Sequence, residues 1–139
     1  MENKMEFGEK YLRLVKLQKD GYPVPPFVGI GRTELETREY DRIAKEAIAT
    51  LAATRYAVRS AAFVEDGQSH SHAGEFLTKL DVAPEDVEKA IREVASDAGS
   101  DPFSIIIQSY VEPEIAGVIF TRNPLGGYGP VVEIGRAHV

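Results

Sequence analysis

The sequence contains no cysteine and only three histidines in 139 residues. Without a thiol, the chain can form no disulfide bond, no thiolate metal site and no cysteine nucleophile. No apolar run approaches the roughly 20 residues that a membrane-spanning helix needs. Residues 1–6 are mostly charged or polar and lack the apolar core of a signal peptide. We therefore expect a cytoplasmic protein that has no membrane partner.

An excess of positive charge is also missing. The chain carries 16 basic and 22 acidic side chains, which give a net charge of −6. This balance argues against a general nucleic-acid binder, since such proteins present a basic surface to phosphates. Hydrophobic residues make up 43% of the chain and charged residues 27%, so we expect it to fold around a core. Its length fits one domain spanning residues 1–139, and no internal repeat or linker interrupts it.

Three segments have the apolar spacing of an amphipathic helix. The first covers residues 7–19, and Gly21 is a plausible C-terminal stop. The second follows Thr33-Glu34-Leu35-Glu36, which has the form of a capping box, and we expect one helix from there, or from Thr37, to about Ala53. The third begins near Pro84, which suits the first turn of a helix.

Short β-rich segments alternate with these helices. We predict strands at residues 27–30, 56–58, 76–80, 104–111, 116–121 and 131–134. Because only a short turn separates residues 104–111 from residues 116–121, the two are expected to form an antiparallel hairpin. About three helices with five or six strands predict an α+β fold with a mostly antiparallel sheet.

The stretch after Tyr56 carries the most suggestive chemistry. A short strand presents Arg59 and is followed by a loop that ends at Gly74. The guanidinium group offers a fixed fork of donors that suits phosphate oxygens, and glycines let backbone N–H groups approach an anion. Ser60 adds a hydroxyl beside the arginine. Alternatively, Arg59 lies at a strand end and pairs with the acidic residues Glu65 or Asp66.

Four segments in this order resemble a known family. They are Phe7-Gly8-Glu9-Lys10 with Gly21-Tyr22-Pro23-Val24-Pro25-Pro26; Val58-Arg59-Ser60-Ala61 with Glu65-Asp66 and Ala73-Gly74; Ile107-Gln108-Ser109-Tyr110-Val111; and Ala116-Gly117-Val118-Ile119-Phe120-Thr121-Arg122-Asn123-Pro124. Together they resemble the N-terminal ATP-binding domain of phosphoenolpyruvate synthase and pyruvate phosphate dikinase, which rifampin phosphotransferases share. No single segment is decisive, but the ordered set is specific and spans nearly the whole chain.

The resemblance implies an ATP-grasp-like fold that holds ATP with Mg²⁺ between two lobes. Five residues match nucleotide-binding positions of the family. Lys10 matches the lysine of Gly-Gly-Lys-Gly and Arg59 the arginine of Val-Arg-Ser, both phosphate contacts. Gly74 and Thr78 match the glycine and threonine of the nucleotide loop, and Gln108 matches the glutamine beside adenine. The alternatives are a solvated helix lysine, a turn glycine and two polar strand residues.

The sequence departs from the family at its C-terminal end. The acidic residues that hold Mg²⁺ in the family have no counterpart after Glu133, and His138 does not match the family's phosphohistidine motif. We therefore expect no catalytic residue and no metal ligand in this chain. His70 and His72 lack an evident third ligand, which favours solvated loop histidines. The expected partners are a missing C-terminal lobe and a phosphohistidine domain, on the same chain or a separate one.

Three functions remain open from the sequence. The first is the ATP-binding portion of a phosphotransferase that passes a phosphoryl group to a histidine on another domain and then to pyruvate. The second is a catalytically silent, stand-alone module that binds a nucleotide or a protein, possible as a homo-oligomer through exposed strand edges. The third is a fragment of a kinase for another acceptor, such as an antibiotic.

Overall fold

The computed structural model describes residues 4–63, 77–99 and 102–136. In chain order the elements are α1 (Lys4–Lys19), β1 (Phe27–Ile30), α2 (Arg32–Glu36), α3 (Tyr40–Leu51), β2 (Tyr56–Ala62), β3 (Thr78–Val82), a short 3-10 turn (Pro84–Asp86), α4 (Val87–Ala98), β4 (Phe103–Ser109), β5 (Ile115–Phe120) and β6 (Val131–Arg136). The predicted α+β class and the antiparallel sheet are confirmed, with four α-helices where about three were expected. Within the described ranges, no helix is both long and apolar enough to span a membrane.

The strands form two separate antiparallel sheets. The larger one has the order β1-β4-β2-β3, whereas β5 and β6 pair only with each other in a two-stranded ribbon. The predicted hairpin between residues 104–111 and 116–121 is therefore wrong. Both edges of β4 are occupied, by β1 on one side and β2 on the other, and Ile105, Ile106 and Ile107 are fully buried. A central strand has no free edge, so β5 pairs with the later strand β6.

One face of the four-stranded sheet carries the main core. Val58, Ile105 and Ile107 pack there against the apolar sides of α3 and α4. These helices supply buried residues at intervals of three and four, as the period of an α-helix requires: Ile43, Ala44 and Ala47 from α3, and Val87, Ala90, Ile91 and Val94 from α4. We call this side of the sheet the helix-pair face.

Helix α1 covers the opposite side, which we call the α1 face. The ring of Tyr11 lies directly over Gly29 of β1, so a side chain at this position would collide with it. Tyr11 also stacks on Phe7, with 4.5 Å between ring centroids, and meets Phe27 edge-on. The hydroxyl of Ser104 in β4 donates a hydrogen bond to the backbone oxygen of Phe7. These contacts fix the start of α1 against the sheet.

The segment predicted as one helix from Thr33 or Thr37 to Ala53 forms two helices. α2 ends at Glu36, and Arg38 then adopts a left-handed backbone with φ of 58° before α3 begins at Tyr40. The predicted capping box is absent, because Gly31 occupies the N-cap and makes no side-chain cap. Instead, the Thr33 hydroxyl and amide both donate to the carboxylate of Glu6 in α1. A tertiary contact has taken the place of the local one.

Candidate functional site

The direction of each side chain in β2 follows from strand alternation. Arg59 is paired with Ile106 and points to the α1 face, whereas Ser60 is paired with Ile105 and points to the helix-pair face. Because neighbouring residues of a strand face opposite sides of the sheet, the Ser60 hydroxyl and the Arg59 side chain do not share a face. The structure also places Arg59 inside β2, three residues before its end, and not in the loop that follows.

Arg59 is a partly buried cation with an unused donor. Its Nε is buried and has no hydrogen-bond partner among the residues that the structure describes. Burial lowers the pKa of Arg59, because removing a guanidinium from water disfavours its charged form. The acidic candidates for pairing with it, Glu65 and Asp66, lie outside the described residues. A buried cation with an open donor is stabilised by an anion that reaches it.

Thr78 lies directly beside Arg59 on the neighbouring strand. The two residues are cross-strand partners in the β2–β3 pair, so their side chains leave the sheet on the same face. The next residue, Lys79, points the other way and forms an ion pair with Glu93 of α4 at 2.6 Å. Thr78 is exposed and its hydroxyl is therefore accessible on the α1 face.

Lys10 belongs to α1, the helix that covers this same face. Gly8 is buried and has φ of 75° and ψ of 172°, which interrupt the helical geometry, so the regular helix begins only after it. A residue with a side chain would be strained in this conformation. Lys10 thus occupies the first turn of the regular part of α1, where the positive end of the helix dipole favours anions. Lys10 itself is half-buried.

The hydrogen bond from Ser104 to Phe7 anchors this turn close to Arg59. Ser104 pairs across the sheet with Ala61, which lies two residues from Arg59 on the same face of β2.

A glycine inside an otherwise helical sequence pattern was the signal for the turn at Gly8. The sequence interpretation used Gly8 only as part of a motif and missed its role in ending one helical segment and starting the next.

Gln108 lies on the α1 face but is already engaged in a structural contact. Its side-chain amide nitrogen, Nε2, donates a hydrogen bond to the backbone oxygen of Pro25 at 2.9 Å, which ties the proline-rich connector to β4. Its cross-strand partners are Ala57 in β2 and Phe27 in β1. Gly74, the remaining predicted contact, lies outside the described residues. The described strands therefore place Arg59, Thr78 and Gln108 on the α1 face, and Lys10 belongs to the helix that covers this face.

A metal site is not part of this arrangement as far as the structure describes it. Residues 4–63, 77–99 and 102–136 contain no group of three or more His, Asp or Glu side chains that could hold a metal ion. His70 and His72 are outside these ranges. The described face offers cationic and hydroxyl groups, which suit phosphate oxygens and do not suit a cation.

The comparisons with known proteins give two partial similarities. No family model matches the chain. The prodigiosin synthesizing transferase PigC of Serratia marcescens is 34% identical over 85 residues, which cover 51% of this chain and 10% of PigC. The chain therefore spans about a tenth of the length of this curated relative.

The second similarity concerns the fold. A dinucleotide-forming acetyl-coenzyme A synthetase 1 from Ca. Korarchaeum cryptofilum, solved in complex with coenzyme A, Ca-AMPCP and HgCl+, superposes with a TM-score of 0.54 at 14% identity. The alignment covers 94% of this chain and 61% of the synthetase chain. Nearly all of this chain thus shares its α+β fold with part of a larger enzyme chain.

Proposed function

We propose that this chain is the ATP-binding portion of a phosphotransferase similar to phosphoenolpyruvate synthase and pyruvate phosphate dikinase. The observation that carries the proposal is the buried Nε of Arg59, which has no partner in the described residues and lies in the one segment that reads Val-Arg-Ser. An unsatisfied buried donor on a cation destabilises a fold, so its presence calls for a ligand that satisfies it. A phosphate oxygen is such a ligand.

The surrounding residues support a phosphate group at this position. Lys10 at the start of the regular part of α1 adds a second cation, and Thr78 adds a hydroxyl beside Arg59. In the proposed role, Arg59 and Lys10 bind the ATP phosphates, Thr78 and Gly74 shape the nucleotide loop, and Gln108 faces the base. The PigC match is to a transferase, which agrees with this class of function.

The proposed site is one half of a larger one. Phosphoryl transfer requires Mg²⁺ to neutralise phosphate oxygens and an acceptor held in line. The described residues supply no set of Mg²⁺ ligands. We place the Mg²⁺ ligands on a C-terminal lobe, and the acceptor histidine on a further domain that hands the phosphoryl group to pyruvate. The chain by itself then binds ATP weakly and catalyses no reaction. A different final acceptor, such as an antibiotic, would leave this half-site unchanged.

We propose that the C-terminal lobe packs against the β5–β6 ribbon. Strand register places Ile115, Ile119, Val132 and Ile134 on one face of the ribbon, and each of these side chains is more than half exposed. We call this the ribbon face. A contiguous apolar surface of this kind marks a contact with another protein surface. The second lobe would cover it and close the nucleotide between the two lobes.

Calorimetric titration of the purified chain with Mg-ATP tests the nucleotide site. We expect weak, saturable binding that becomes about tenfold weaker or more in Arg59→Ala, since a hydrogen bond to a charged group contributes about 1.5–3 kcal/mol. Arg42→Ala is the matched control, because Arg42 lies on α3 at the opposite face and pairs with Glu34, Glu39 and Glu46. It should bind ATP as the unaltered chain does.

Two results would contradict the proposed site. A chain that is folded by circular dichroism and binds no ATP at millimolar concentration would leave the second function, a scaffold that binds a protein partner. Unchanged ATP binding in Arg59→Ala would show that the nucleotide does not bind at the α1 face.

A further inference from the structure

A second concave site lies on the other side of the sheet. A cavity of about 600 Å³ opens between α2, the start of α3 and the C-terminal half of α4. Its volume falls in the range of sites for small organic ligands. The buried Leu35 and the half-buried Phe103 form its apolar part. We call it the arginine cavity, after Arg32, Arg38 and Arg92, which line it.

The charge of this cavity is opposite to that of the whole protein. Among the described residues that line it, the charged side chains are three arginines and one acidic residue, Glu36. The chain as a whole has a net charge of −6. A concentration of guanidinium groups around a concave apolar surface, in an acidic protein, produces a local positive potential that attracts anions.

The ion pairs of Arg32 and Arg92 are weak enough for both side chains to bind a ligand. Arg32 lies 3.5 Å from Glu36, and Arg92 donates from Nε to Glu88 at 3.3 Å, in both cases within one helix turn and largely exposed. Exposed pairs of this kind contribute little to stability, so the terminal N–H groups can turn to an anion at small cost. Arg92 also places its guanidinium 5.0 Å from the centre of the Tyr40 ring, which holds it at the cavity wall.

Of the three arginines, Arg38 has the most unusual backbone conformation. It occupies a left-handed backbone conformation with φ of 58°, which glycine or asparagine adopts at lower cost. Its side chain is exposed, and within the described part of the chain it has no ion-pair partner. An exposed arginine that lines the cavity and forms no ion pair within the described residues is available to a ligand there.

We propose that the arginine cavity binds a small organic anion that joins a phosphate or carboxylate group to a flat apolar body. The three guanidinium groups contact the anionic group, and Leu35, Phe103 and the Tyr40 ring contact the apolar body. The first residue of α3, Tyr40, lines the cavity, so the positive end of that helix adds to the attraction. This site is independent of the proposed ATP site, which lies on the opposite face of the sheet.

Phenyl phosphate and benzoate are the probes, and their binding is followed by amide chemical shifts of the whole chain. We expect saturable shifts in α2, at the start of α3 and in α4. Arg38→Gly should weaken the binding about tenfold or more, since it removes one charged donor. The same change relaxes the backbone at this position, so its melting temperature should equal or exceed that of the unaltered chain. Arg13→Ala, which removes an exposed arginine of α1, should bind like the unaltered chain.

The competing outcomes are distinct. Benzyl alcohol binding as well as phenyl phosphate would show that charge plays no part and would overturn the proposal. If inorganic phosphate binds as tightly as phenyl phosphate, the apolar body contributes nothing to binding, and this result would also overturn the proposal. So would unchanged affinity in Arg38→Gly. Arg59→Ala should leave phenyl phosphate binding intact, so loss of ATP binding in that variant cannot be mistaken for loss of this site.

Discussion

Arg59 combines a cost in stability with a proposed gain in binding. Its Nε is buried without a partner in the described residues, and burial lowers its pKa. Most buried polar atoms of folded proteins have a hydrogen-bond partner, so an unpaired donor on a buried cation lowers stability. At the scale of the residue, stability and binding are therefore expected to respond in opposite directions to the same substitution.

Arg59→Met is the substitution that separates these effects. Methionine keeps most of the unbranched apolar volume and removes the charge and the open donor, so the free energy of unfolding should rise by about 1–2 kcal/mol. ATP binding should fall in the same variant. Urea denaturation measures the first quantity and calorimetry the second. Arg55→Met is the control, because Arg55 pairs with Asp81 at 2.7 Å and its loss should bring no gain. A destabilised Arg59→Met would instead assign Arg59 a structural role.

Among the elements, a pair of hydrogen bonds ties the start of α1 to α2. Glu6 accepts two hydrogen bonds from Thr33, which is distant in sequence. These hydrogen bonds, first that of the hydroxyl and then that of the amide, lower the pKa of the Glu6 carboxyl below its ordinary value of 4.5. The contact holds the start of α1, and with it Lys10, against the segment that follows β1.

This contact should make stability depend on pH in a defined direction. Because the folded pKa of Glu6 is lowered, the carboxylate contributes fully above pH 4.5, and the contribution is lost as pH falls through the lowered value. The difference in free energy of unfolding between the unaltered chain and Glu6→Gln should therefore shrink between about pH 5 and pH 3. Thr33→Val, which removes the hydroxyl donor, should show the same convergence. A difference that grows on acidification would contradict this account.

At the scale of the whole molecule, the two sheets differ in how they are stabilised. The four-stranded sheet is covered by α1 on one face and by α3 and α4 on the other, whereas the ribbon face of β5 and β6 is open to solvent. A two-stranded ribbon is marginally stable in water unless something packs against it. The ribbon is thus the part of the described fold that most depends on the proposed second lobe.

Hydrogen exchange of the isolated chain should display this difference. Amides of Ile105 to Ile107 in the central strand should exchange only on global unfolding, since these three residues are fully buried. Amides of Val118 and Ile119 in the ribbon should exchange much faster. Ile119→Lys should leave exchange of the central strand unchanged. Equal protection of both sheets, with sedimentation of a dimer, would show that a second copy covers the ribbon face in place of a lobe.

Local patterns in the sequence are sufficient to specify several of the elements. The strand at 27–30 and the helix after Pro84 lie where their patterns predict them, because each contains its own period and its own stop. The helix predicted at residues 7–19 is interrupted at Gly8, and the strand predicted at residues 104–111 ends at Ser109. The α+β class followed from their order. Arg59 was singled out by its motif, but its burial and its open Nε emerged only from the fold.

Strand pairing, contacts between helices and the cavity depend on residues that are far apart in sequence, so local patterns could not predict them. Pairing of β4 with β1 and β2 left no edge for β5, so the nearest strand in sequence was not the partner in space. The Thr33 hydroxyl donates to Glu6 of α1 and forms no capping box in its own helix. The left-handed backbone at Arg38 interrupts the segment that the periodicity predicts as one helix. The arginine cavity exists only because separate helices converge. In each case, a contact between residues far apart in sequence outweighed a local preference of a kilocalorie or less.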